Sequence, residues 1–140
     1  MPAAVLVDTG PLVALFDRSD RWHDRCRAEL DRLEKDDLVT CEPVITEASY
    51  LLDYSVEAQA ALQQLLSRGR PRVLPIEQAD RSRIAELVRK YSGLPMDYAD
   101  AALVALAERH GVDRVFTLDF TDFGLYRAGR RKLALIPRQR

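Results

Sequence analysis

Asp97-Tyr-Ala-Asp-Ala-Ala-Leu-Val-Ala-Leu-Ala-Glu-Arg-His110 runs into Gly111 and then into Val115-Phe-Thr-Leu-Asp119. The first piece carries apolar residues at helical spacing and meets a glycine suited to a left-handed helix end. The second is a short apolar run that stops on a carboxylate. A helix feeding a short strand is the repeating unit of an α/β protein, and the same alternation extends along the chain in both directions. Strands are expected at Ala4-Val-Leu-Val-Asp8, Leu38-Val-Thr-Cys-Glu42, Arg72-Val-Leu-Pro-Ile76, Val115–Asp119 and Leu133-Ala-Leu-Ile136. Most are continuously apolar, as parallel strands covered on both faces are. Pro75 demotes the third to an edge or shortens it. Helices are expected from Asp20 (stripe Trp22, Cys26, Leu30, Leu33), from Pro43 through Val44, Ala48 and Leu51, and over Glu57–Leu66, Gln78–Tyr91 and Asp97–His110. The expected fold is a three-layer α/β/α sandwich around a mainly parallel sheet, with residues 1–140 forming one domain.

Composition narrows the class. The chain has 140 residues, 47% hydrophobic and 31% charged, which excludes disordered, collagen-like and disulfide-dense proteins. The longest apolar run, Ala101–Ala107, has seven residues, far below the roughly 18 of a membrane span. The apolar start Ala3–Val7 has no basic lead-in and ends at Asp8, unlike a signal peptide. Cys26 and Cys41 are too few for a disulfide framework and lack metal-ligand spacing. A cytoplasmic protein without membrane association is expected. Six basic residues and no acid occupy Arg127–Arg140, while residues 1–126 carry a net charge of −7. Such a tail either docks a polyanion or solubilises the terminus.

In a doubly wound sheet, ligands bind outside the carboxyl ends of the strands, where the strand order reverses. Asp8 and Asp119 close their strands at that rim, although each also suits a turn or a helix cap. Asp100, Leu103, Val104 and Ala107 share one helical stripe, so the Asp100 carboxylate faces the core. Buried and unpaired, it would cost several kcal/mol or be neutralised. Asp97 suits both an N-cap and the site. Glu47 lies between Val44 and Leu51 at the edge of a buried stripe, where it either joins the rim or reaches solvent. At ~4 Å and an effective dielectric near 20, each like-charged pair costs about 4 kcal/mol. A cluster of this kind calls for a cation, and an all-oxygen donor set suits Mg²⁺ or Mn²⁺. There is no phosphate-binding loop and no Gly-x-Gly-x-x-Gly motif.

Val7-Asp8-Thr9 with Pro11-Leu-Val-Ala-Leu-Phe16, Glu47, Asp100-Ala-Ala-Leu-Val-Ala-Leu-Ala107 with Gly111, and Val115–Asp119 with Asp122-Phe123 together resemble the PIN-domain family. Within it, the chain resembles the VapC-like toxins of toxin–antitoxin pairs. The resemblance implies a Mg²⁺- or Mn²⁺-dependent endoribonuclease that leaves 3′-hydroxyl and 5′-phosphate ends. It implies an acidic quartet of Asp8, Glu47, Asp100 and Asp119. Asp8 and Asp100 would be the direct metal ligands, supported by Glu47, Asp119 and the auxiliary Asp97. Thr9 and Thr117 would supply hydroxyl contacts, and Thr9 equally suits a cap for the helix near Pro11. A serine often follows the Asp-Thr pair in this family; Gly10 stands there in this chain. The resemblance further implies a homodimer, a cognate antitoxin and an RNA substrate. Arg127, Arg130, Arg131 and Lys132, with Arg138, Arg140, Arg68, Arg70 and Arg72, are candidates for phosphate contacts. Trp22 is either an interface anchor or part of the core.

Two other readings compete. A phospho-acceptor receiver also gathers acids at strand ends, but it needs a lysine after a late strand, and none stands between Asp119 and Lys132. A catalytically silent PIN-like module that only binds RNA or protein would keep the fold without cleavage; all four acids are present here.

Overall fold

The computed structural model describes residues 3–138, so Arg140 lies outside the described residues. Five strands form one parallel sheet: β1 (Ala4–Val7), β2 (Asp37–Thr40), β3 (Arg72–Val73), β4 (Arg114–Phe116) and, completing it, the strand Ala134–Ile136. Seven helices connect them: α1 (Thr9–Phe16), α2 (His23–Arg32), α3 (Glu42–Leu51), α4 (Val56–Ser67), α5 (Asp80–Lys90), α6 (Tyr98–His110) and α7 (Phe120–Leu125). A two-stranded antiparallel hairpin, β5 (Arg127–Ala128) and β6 (Arg131–Lys132), precedes the last sheet strand, β7. The strand order is β3-β2-β1-β4-β7. The chain winds outward from β1 to β3, crosses back to β4 and continues to β7. Crossovers running in opposite directions from β1 are what places helices on both faces of such a sheet. Accordingly α1 packs on α2, α3 and α4, and α5 packs on α6.

The expected sandwich is present, and its deviations have local causes. Strands end earlier than their apolar runs because the terminal residues start helices. Asp8, Cys41 and Asp119 occupy the N-cap positions of α1, α3 and α7. β3 is both an edge strand and only two residues long, consistent with Pro75 lacking the N–H a ladder needs. The segment from Asp20 is a turn, with Asp20 accepting a hydrogen bond from the Trp22 N–H at 2.8 Å before α2 begins. Gly111 takes φ +66° and ends α6 in the expected left-handed conformation. Neither α7 nor the β5–β6 hairpin is signalled by periodicity, since each is too short to show one.

β1 and α6 form the centre. Val5, Leu6 and Val7 are buried, as is every residue of α6 from Ala101 to Ala107. The helix is therefore enclosed nearly all round, and its small residues allow close packing. Trp22 packs on the core and meets Phe120 edge-to-face at 5.8 Å, which assigns it to packing. Among the described residues, no helix is long and apolar enough to cross a membrane.

Candidate active site

The sheet order reverses between β1 and β4. Their register pairs Val7 with Phe116, so the next residues, Asp8 and Thr117, stand level at the carboxyl rim. The Asp8 N–H donates to the Phe116 carbonyl at 2.9 Å, and the Thr117 hydroxyl donates to Asp8 Oδ2 at 2.8 Å. Thr117 Oγ1 in turn accepts the Asp119 N–H at 3.0 Å. Asp119 then caps α7 by accepting from the Asp122 N–H at 3.1 Å. Asp8 occupies the N-cap position of α1, but its side chain does not cap that helix. Its carboxylate is 7% exposed and has one side-chain partner, Thr117.

The N-terminus of α6 faces this pair. Asp97 accepts the Asp100 N–H at 2.9 Å and is the cap, while the Asp100 carboxylate lies within the field of Asp8 and Asp119. The Tyr126 hydroxyl, itself buried, donates to Asp100 Oδ2 at 3.3 Å. Burial pushes Asp100 up to about 8, with Asp97, Asp8 and Asp119 adding like-charge repulsion. Burial likewise pushes Asp8 up to about 6; Thr117 and the Thr9 N–H oppose it, and Glu47 and Asp119 add to it. Glu47, half-buried on α3, makes no hydrogen bond or ion pair among the described residues. All five acids named from the sequence thus share one electrostatic field at the switch point.

Buried Asp8 and half-buried Asp100 are costly as anions, which is the condition a cation would relieve. The Thr9 hydroxyl, first in α1 beside Asp8, is buried without a hydrogen-bond partner; it does not cap the helix, because Asp8 holds that position. Among the described residues, no three histidine, cysteine or carboxylate side chains lie close enough to hold an ion by themselves. The donors on the rim are all oxygens, a set chemically compatible with a hard cation such as Mg²⁺, which keeps several waters when one or two carboxylates hold it. Gly10 has a steric reason. A Cβ there would lie 3.2 Å from Leu118 Cβ, so any side chain at position 10 requires Leu118 to give way by a few tenths of an ångström.

The basic residues divide. Arg70 donates to the carbonyls of Leu33, Glu34 and Asp36, and Arg72 pairs with Asp37 at 2.8 Å. Both brace the amino-terminal side of the sheet, away from the acids. Arg127 turns to the carbonyls of Gly124, Leu125 and Tyr126. Arg130, Arg131, Lys132 and Arg138 are exposed. The hairpin is anchored where the Gly129 N–H meets Glu108 at 2.9 Å. That point is roughly 12 Å along α6 from Asp100 at 1.5 Å per residue.

Sequence reasoning missed Tyr126, which lies 26 residues beyond its partner Asp100 and follows an α7 too short to show periodicity. It also missed a groove of about 960 Å³ that begins at Glu47 and Asp97 and continues past Tyr50, Arg81 and Tyr98.

Comparisons with known proteins agree with this geometry. The PIN domain family profile matches residues 5–128. Ribonuclease VapC26 of Mycobacterium tuberculosis is 30% identical over 136 residues, spanning 95% of this chain and 100% of that protein. Among solved structures, Mycobacterium tuberculosis VapC20, a Sarcin-Ricin loop cleaving toxin, superposes with a TM-score of 0.72 at 19% identity, covering 84% of this chain and 91% of its own. VapBC2 from Rickettsia felis, bound to a DNA fragment from its promoter, superposes with a TM-score of 0.65 at 17% identity, covering 94% and 96%. FitAcB from Neisseria gonorrhoeae superposes with a TM-score of 0.61 at 22% identity, covering 94% and 95%.

Proposed function

The chain belongs to the PIN-domain family and is VapC-like, and from that premise we propose that it is a metal-dependent endoribonuclease, the toxin of a toxin–antitoxin pair. The observation that carries the reading is the pair of like-charged carboxylates, buried Asp8 and half-buried Asp100, brought within each other's field at the point where the strand order reverses. That is where open α/β sheets place their ligands. The likeness to a ribonuclease over nearly the full chain supports the reaction class.

In this reading Asp8 and Asp100 hold the ion, with the Thr9 hydroxyl available beside it. A bound divalent cation would supply a Lewis acid that activates water and stabilises charge on a phosphodiester. The protein contributes the rest. Thr117 holds Asp8 in one orientation, Tyr126 does the same for Asp100, and Glu47 and Asp119 deepen the negative field that attracts a cation. Exposed Arg130, Arg131 and Lys132 are within this proposal as phosphate contacts. The chain would act in the cytoplasm as a homodimer restrained by an antitoxin. The solved toxin–antitoxin complexes of the same fold support such a partner. Exposed Leu51, Tyr54 and Val56, at the junction of α3 and α4, offer apolar surface for a protein to cover.

Cleavage of total cellular RNA in Mg²⁺ or Mn²⁺ tests the proposal, with EDTA, Asp8→Asn and Asp100→Asn as controls. Products with 5′-phosphate ends, lost in all three controls, are expected. RNA bound but uncut by the folded, antitoxin-free chain overturns the enzymatic reading in favour of a binding module.

A further inference from the structure

A second cavity, of about 480 Å³, lies between α2 and the edge strand β7. It reaches Arg114, which opens β4 about 10 Å along the strand from Thr117 at the acidic rim. Four arginines (Arg25, Arg32, Arg114 and Arg138) and two acids (Glu29 and Asp36) line it, a net charge of +2 in a chain whose formal charge is −1. Elsewhere arginines grip acids closely: Arg72 on Asp37 at 2.8 Å, Arg83 on Glu108 at 2.7 Å and Arg109 on Asp80 at 2.9 Å. In this cavity the grip is loose. The two longest arginine–carboxylate pairs among the described residues both fall on Glu29 Oε1, from Arg25 at 3.5 Å and from Arg32 at 3.7 Å. Charge-assisted bonds ordinarily measure about 2.7–2.9 Å. Buried Glu29 therefore holds this arginine pair together without saturating its donors. Arg114 gives Asp36 one bond at 3.0 Å, and Arg138 pairs with no carboxylate among the described residues. The rest of the lining is apolar: Leu33 is buried, Leu135 and Ile136 are half-buried, and Ala134 is exposed.

Phosphate is the anion this lining fits. Guanidinium groups present forked donors that match phosphate oxygens, and their planes stack against flat rings. Small-molecule sites commonly occupy about 300–1,000 Å³ and combine apolar walls with a few placed polar groups. A bare phosphate would leave Leu33, Leu135 and Ile136 uncovered. We infer that the cavity binds a small organic phosphate of mononucleotide size, its phosphate taken by Arg25, Arg32 and Arg138 and its flat ring lying over Leu135 and Ile136. The site is distinct from the acidic rim and requires no divalent cation, because its own charge already opposes that of the ligand. It stands whether or not the chain cuts RNA. An RNA strand carries the same phosphate chemistry, and the experiment separates the two sources.

The test is isothermal titration of the purified chain in EDTA with adenosine 5′-monophosphate, adenosine, inorganic phosphate and a short single-stranded RNA that lacks a terminal phosphate. The nucleotide should bind once per chain, more tightly than adenosine or phosphate alone, and should weaken as salt is added. Arg32→Ala and Arg138→Ala should each lower its affinity by about 10-fold, the low end of what a hydrogen bond to a charged group is worth. Arg32→Lys keeps the charge but loses the fork and should fall between wild type and Arg32→Ala. Both positions are exposed, and unchanged thermal unfolding verifies the fold. On nucleotide addition, backbone amide NMR shifts should concentrate at Leu33, Leu135 and Ile136. No saturable nucleotide binding overturns the inference, as does binding that both alanine variants leave unchanged or shifts that fall at the acidic rim instead. Phosphate binding as tightly as the nucleotide overturns the organic ligand and leaves a bare anion site. RNA binding weakened by the same substitutions, without nucleotide binding, assigns these arginines to an RNA strand and also overturns it.

Discussion

The Thr117 hydroxyl donates to Asp8 Oδ2 at 2.8 Å, joining residues that lie 109 positions apart in the chain. The same oxygen accepts the Asp119 N–H at 3.0 Å, so one threonine orients one acid and fixes the backbone of another. Thr117→Val would leave Asp8 without its hydroxyl partner and the Asp119 N–H unpaired. Outer partners of metal ligands are typically worth about 10- to 100-fold in metal affinity. Isothermal titration with Mg²⁺ should show a loss in that range for Thr117→Val and near-recovery for Thr117→Ser. Equal affinity in Thr117→Val would remove Thr117 from the site.

The carboxyls of Asp8 and Asp100 titrate higher in the folded chain, at about 6 and about 8, than the 3.8 of an exposed aspartate. From about pH 4 to about pH 8 the unfolded chain has released protons that the folded chain still binds. Stability of the metal-free protein therefore falls as pH rises through that window. For Asp8 alone, two pH units correspond to about 3 kcal/mol, or a Tm change on the order of 10 °C. Scanning calorimetry in EDTA should show the fall, and Mg²⁺ should reverse it most at the alkaline end. A flat profile would contradict the raised titration of both acids.

Asp100→Asn should separate stability from activity. The amide removes a half-buried ionisable group, so the metal-free variant should be more stable than wild type at the alkaline end of that window. It should differ little at the acid end, where the wild-type carboxyl is already neutral. Cleavage should be abolished even at saturating Mg²⁺. Retained cleavage would place the principal helix ligand elsewhere, with Asp97 as the first alternative.

Gly10 and Leu118 form a matched pair, because a Cβ at position 10 would sit 3.2 Å from Leu118 Cβ. Gly10→Ser should cost about 1 to 3 kcal/mol by overpacking. In urea unfolding, adding Leu118→Ala should produce a coupling of at least about 0.5 kcal/mol in the favourable direction. Additive effects would mean that the neighbouring side chain yields without cost.

Arg109 clamps Asp80 through two bonds, at 2.9 and 3.0 Å, and also donates to the Pro75 carbonyl. Burial would raise the Asp80 carboxyl, but Arg109 and the Glu77 N–H outweigh it and hold it below the usual carboxylate range. Its contribution is therefore present at neutral pH and is lost as pH falls through the depressed value. Arg109→Met leaves a buried unpaired acid and should cost about 2 kcal/mol, less than a fully buried pair because the guanidinium is partly exposed. Denaturant midpoints near neutrality should fall accordingly, and Asp80→Asn should cost less.

The alternation of apolar strands with helical stripes was legible because each element long enough to repeat its period leaves that period in the residues. Gly111, Pro75 and the strand-end aspartates were legible for a related reason: backbone freedom, a missing donor and a polar stop are properties of single residue types. Asp8 and Asp119 could be named from the sequence because parallel strands deliver their carboxyl ends to one edge, and Glu47, Asp97 and Asp100 because helical spacing sets them on or beside a buried stripe. The short α7 and the hairpin were not legible, since too few residues carry their pattern.

Other features depended on chain pairing. The sequence could not decide that Asp97 is the cap of α6, or say that Thr117 faces Asp8. Nor could it place Tyr126 on Asp100, or show that Arg81 leans on Tyr98 instead of an acid. These are contacts between residues from 3 to 109 positions apart. Composition and spacing set which groups can bond. Register between β1 and β4, and the seating of α6 against them, select which of those groups meet.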